Sequence, residues 1–68
     1  MVYAQIVSVE SDGVTDAVSI EMAEGRNIVV DISSSSATAE SVNAAVKQAV
    51  ATAAAVSVNQ VILLGAAS

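Results

Sequence analysis

Three carboxylates crowd one short stretch of this 68-residue chain: Glu10, Asp12 and Asp16, set around Gly13. Converging carboxylate oxygens are what a hard cation such as calcium needs. The spacing lacks the alternating acids and distal glutamate of a helix-flanked calcium loop. Ser11-Asp12-Gly13 is turn chemistry instead: the Asp side chain bonds nearby backbone N–H groups, and the Gly supplies a positive φ. The expectation is a solvated hairpin turn and no metal site.

A second candidate is the run of four serines at 33–36, ahead of a helical pattern. Hydroxyls and backbone N–H groups at a helix start can hold an anion. There is no Gly-rich cradle and no following Lys, so the run is not a phosphate-binding loop. A serine nucleophile needs a base such as His or a well-placed Lys. The chain has no His, and Lys47 lies on the helix beyond this loop. The run therefore reads as a connector ending in a helix cap. No catalytic residue and no cofactor are expected, and the chain is read as not an enzyme.

Charge narrows the partners. The formal net charge is −5, with Arg26 and Lys47 the only cations. Nucleic acids and anionic membrane surfaces are bound through clustered Lys and Arg, so neither is an expected partner. Arg26 sits in a Gly-containing turn, where it can pair with a partner's carboxylate or with Glu24. Such surface pairs contribute only about 0–1 kcal/mol. The uncharged stretch 49–68 has the length of a membrane span, about 20 residues. Asn59 and Gln60 interrupt it, Ala drives insertion weakly, and no cationic flank or aromatic belt follows; a helix followed by a strand explains it better. The chain does not open on a basic segment followed by a signal-length apolar core, so a cytoplasmic or virion-associated location is expected.

The hydropathy pattern supplies the elements. Alternation predicts a strand over 2–10, with Val2, Ala4 and Ile6 on one face and Tyr3, Val7 and Val9 on the other. A second strand, 14–22, places Val14, Val18, Ile20 and Met22 together, with Asp16 on that apolar side near the turn. A third, 28–32, aligns Ile28, Val30 and Ile32. Short turns between them make an antiparallel meander. Thr38 is the predicted N-cap of a helix over 39–56, with Glu40 in its first turn. Val42, Ala45, Val46, Ala49, Val50, Ala53 and Val56 form its buried stripe, and Asn43, Lys47 and Gln48 mark a more solvated side. A last strand over 58–64 precedes a small mobile tail, 65–68.

The resulting class is α+β, in one domain over 1–68: β-β-β-α-β, a four-stranded mixed sheet with one helix packed on one face. A right-handed crossover from the third strand through the helix puts the fourth strand parallel to the first, in order 3-2-1-4.

The apolar residues are small. There are 14 Ala and 13 Val, no Phe, Trp or Cys, and one aromatic, Tyr3. A domain of this size rarely draws more than about 3–5 kcal/mol from its core and usually needs a disulfide, a metal or a partner subunit. Here only the partner remains. The expected function is structural: a homo-oligomer, or a component decorating a larger particle such as a virion, in the manner of a capsid cement or tail subunit. Its interface is expected on the uncovered sheet face, at Tyr3, Val7, Val9, Val61 and Leu63. The alternatives are an adaptor or regulatory subunit binding one larger protein, and an oligomer with a ligand or catalytic site between subunits.

Overall fold

The structure, a computed structural model, describes residues 1–67. It contains β1 (Val2–Ser11), β2 (Thr15–Met22), β3 (Asn27–Ser33), α1 (Ala39–Ala54) and β4 (Val61–Leu64). The sheet order is β3-β2-β1-β4. The first three strands form the expected antiparallel meander, and β4 runs parallel to β1, pairing Val2 with Val61 and Gln5 with Leu64. The architecture is the α+β sheet with one covering helix that the alternation implies.

Each junction has a local cause. In the first turn Asp12 Oδ1 accepts the N–H groups of Val14 and Thr15, both at 2.8 Å. Gly13 adopts φ +90°, a conformation in which other residues are strained. Thr38 caps α1 in a reciprocal box: its hydroxyl accepts the Ser41 N–H at 3.1 Å, and the Ser41 hydroxyl accepts the Thr38 N–H at 2.8 Å. The helix stops at Ala54, two residues short of the sequence expectation, because Ala55 turns left-handed at φ 56°. The Val56 N–H then reaches back to the Ala51 carbonyl at 3.0 Å, which satisfies one of the last orphaned acceptors. Val58–Gln60, expected as strand, is a 3-10 turn.

The core is one layer between α1 and the sheet. Its fully covered members are Val18, Ile20, Val46 and Val50, joined by Ala4, Met22, Val42, Ala51 and Val61. No side chain larger than Ile or Met contributes, as the composition requires. The helix stripe is narrower than expected. Val42, Val46 and Val50 are buried as read from spacing, Ala53 and Val56 pack against the core cluster as expected, and Ala51 joins it; Ala45 and Ala49 are only half-buried and do not pack against that cluster.

The expected mobility of the tail is corrected by the structure. The tail is tied down rather than loose through Ala67. The Asn43 amide donates to the Ala67 carbonyl at 3.0 Å and accepts the Ala67 N–H at 2.8 Å. Gly65, at φ +61°, makes the turn that allows this return. Ser68 lies outside the described residues. The Arg26 guanidinium donates to the Ala53 carbonyl at 3.3 Å. That places a cation at the negative end of the helix dipole.

Candidate protein interface

The sheet has one covered face and one bare face, and the register decides which residues lie on each. Residues paired across a ladder share a face. The buried residues Val18, Ile20 and Met22 mark the helix side of β2. Their partners on β1 are Val9, Ile6 and Ala4. The pairing slips between Ile6 and Ser8, where β1 carries a bulge. One extra residue at a bulge shifts the alternation by one, so side chains beyond it change face. Tyr3, Gln5, Val7, Ser8 and Glu10 therefore share the bare face, whereas Val9 falls on the helix side.

This corrects three of the five residues expected on the uncovered face. Val9 stands opposite Val18 on the covered side, yet is 50% exposed. Its exposure has a simple cause: β4 ends opposite Gln5, so the far half of β1 has no neighbour along that edge. Val61 pairs with Val2, is only 6% exposed and belongs to the core. Leu63 pairs with Ala4 and packs against the same cluster. The parallel ladder instead sets Ile62 beside Tyr3 and Leu64 beside Gln5 on the bare face. Tyr3 and Val7 are where they were expected, exposed by 53% and 54%.

The bare face is mixed in character. Tyr3, Val7, Val29, Ile62 and Leu64 give it apolar surface. Glu10, Ala17 and Asp31 form one row across three strands, and Glu21 stands on the same face next to Asn27. The acids were not foreseen as part of this face. Their signal was present in β1: strict alternation would have put Glu10 among Val2, Ala4 and Ile6, a conflict that a bulge resolves.

The acidic turn is dispersed by the fold. Glu10 lies on the bare face, Asp12 closes the turn, and Asp16 is on the opposite face in register with Ile32. Asp16 accepts from the Ser34 hydroxyl, which itself contacts the Ser11 hydroxyl at 3.3 Å. These bonds, Ser34 first, hold the Asp16 carboxyl below its usual range. The N–H groups of Thr15 and then Val14 do the same for Asp12. Among the described residues, no group of three potential ligands is placed to hold a metal ion. The serine run is likewise engaged locally. Ser34–Ser36 forms a 3-10 turn, Ser33 and Ser35 contact each other at 3.1 Å, and Ser36 donates to the Ser33 carbonyl at 3.2 Å. Among the described residues, no helix is long and apolar enough to cross a membrane.

A second surface was not anticipated. An open groove of about 620 Å³ runs between α1 and the chain leading into β4, lined by Glu40, Ala44, Lys47, Gln48, Val58 and Val61. Asn43 and Asn59 also line it, so its surface mixes polar and aliphatic groups, and among the described residues Lys47 and Glu40 are the only charged ones along it. All seven acids of the chain lie at position 40 or earlier. Of these, only Glu40 lies on the flank built by α1 and β4. Comparison with known proteins returns no matching family model, no matching curated protein and no matching solved structure.

Proposed function

We propose that this chain is a non-enzymatic assembly protein that self-associates and, through its bare sheet face, seats on a larger particle. The observation that carries the reading is the half-covered sheet: one helix covers one face, and the other leaves Tyr3, Val7, Val29 and Leu64 at least half exposed. A core of nine small or medium aliphatic residues supports a domain of this length poorly on its own. Burial against another protein surface supplies what the core lacks. An acidic, cysteine-free chain rich in Ala, Val, Ser and Thr fits a virion component such as a capsid cement or tail subunit.

Light scattering coupled to gel filtration, across about a hundredfold dilution, tests the self-associating part. A discrete multimer whose apparent melting temperature rises with concentration is the expected result. A monomer that melts cooperatively and identically at every concentration refutes it.

One feature favours a second reading, that of an adaptor bound to a single larger protein. The bare face combines apolar side chains with Glu10, Glu21 and Asp31, which suits a partner presenting Arg or Lys beside apolar groups. Under this reading the purified chain is monomeric and forms a one-to-one complex whose affinity falls with salt.

A further inference from the structure

Two copies of this chain meeting bare face to bare face would bring six carboxylates together, those of Glu10, Glu21 and Asp31 from each. Like charges placed opposite one another across an interface cost several kcal/mol. The flank along the 620 Å³ groove has no such conflict. Its two charges, Glu40 and Lys47, are seven positions apart on α1, about 10.5 Å along the helix axis. Neither has an opposite charge three or four positions away on the helix, where an intrahelical pair would form. Between them lies Ala44, exposed and small, which allows close approach.

This pattern complements itself. A two-fold axis at right angles to α1, passing beside the helix at the level midway between Asn43 and Ala44, reverses the helix direction and sets position 40 of one copy opposite position 47 of the other. We propose that two copies dock along this flank with their α1 helices antiparallel, so that Glu40 of each meets Lys47 of the other. Ala44 packs near the axis, and the groove beside Val58 is covered. The same two-fold brings the free edge of β4 toward its counterpart in antiparallel sense. That edge, Val61–Leu64, carries no charge and no Pro, the usual devices that keep strand edges apart. Such an interface is isologous and closes at two copies, leaving both bare sheet faces open for a larger partner. The inference rests on the self-association reading and adds the place and the symmetry of the contact.

Glu40→Lys and Lys47→Glu test it, with circular dichroism confirming that each variant folds. The Glu40→Lys chain carries lysines at both positions, and the Lys47→Glu chain carries glutamates at both. Each alone replaces two attractions by two repulsions and is expected to dimerise at least about tenfold more weakly in low salt, since exposed pairs contribute up to about 1 kcal/mol each. Mixed in equal amounts they are expected to form a heterodimer with affinity restored, read by native mass spectrometry. A wild-type chain that is monomeric at all concentrations overturns both this inference and the self-association reading. Wild-type dimers that neither variant weakens overturn the inference alone and move the contact elsewhere. Weakening without recovery on mixing also overturns it, because the two charges then do not face one another.

Discussion

Asn43 is the residue whose role differs most from what its position on a helix suggests, and Asn43→Ala measures that role. The substitution removes both hydrogen bonds to Ala67, at 3.0 and 2.8 Å in a half-buried setting. A net hydrogen bond contributes about 0.5–1.5 kcal/mol, so the pair sets an upper limit near 3 kcal/mol. Releasing Ala66 and Ala67 returns backbone freedom of about 1 kcal/mol per residue, about 2 kcal/mol in all, which offsets most of this. The expected net loss is about 1 kcal/mol, or about 4–8 °C in Tm for a domain of this size. Urea and thermal unfolding measure the loss, and amide exchange at Ala67 reports the release directly. A chain truncated after Gly65 provides the control. In that background Asn43→Ala has nothing left to break, and its cost should fall to a few tenths of a kcal/mol. Equal losses in full-length and truncated chains, or continued protection of the Ala67 amide in the variant, would refute the clamp.

Ala55→Gly is expected to raise stability by about 0.5–1 kcal/mol, since the left-handed turn ending α1 strains any residue with a Cβ; an unchanged or lower urea midpoint would contradict the αL cap. The bonds from Ser34 and then Ser11 hold the folded-state pKa of Asp16 below the ordinary aspartate value. Their contribution is therefore complete above about pH 4 and lost as pH falls through the lower folded value. The melting temperature of the wild type should drop more between pH 6 and pH 2.5 than that of Asp16→Asn, and parallel curves would refute the linkage. Thermal melts in EDTA and in millimolar calcium should superimpose; a calcium-dependent rise would show that acids of the first turn converge on an ion.

The fold was legible because its signals are redundant. The strand phases, the turn residues Ser11-Asp12-Gly13 and the Thr38 cap each point to the same chain path, and one handedness rule then fixes the strand order. The phase of β4 was not legible. Val61, Ile62, Leu63 and Leu64 are all aliphatic, so alternation offers no way to tell inside from outside, and only the ladder to Val2 and Ala4 decides. The Asn43–Ala67 clamp and the Arg26–Ala53 bond were invisible for a related reason. Each joins residues 24 or 27 positions apart, and no local pattern encodes a contact at that range.

The bulge in β1 links these points to function. Without it, Val9 would stand with Tyr3 and Val7, and Glu10 would stand beneath α1's side of the sheet. With it, Glu10 joins Asp31 and Glu21 on the bare face. That change turns a patch suited to a second identical copy into one that repels it and favours a basic partner. It also sits where β4 stops and β1 first presents an open edge, the position at which a bulge discourages strand pairing with another chain. The unprotected edge is β4, on the flank where Glu40 is the one acid and Lys47 accompanies it. One inserted residue thus separates the two kinds of contact proposed for this chain: like with like along the α1–β4 flank, and unlike with unlike across the sheet.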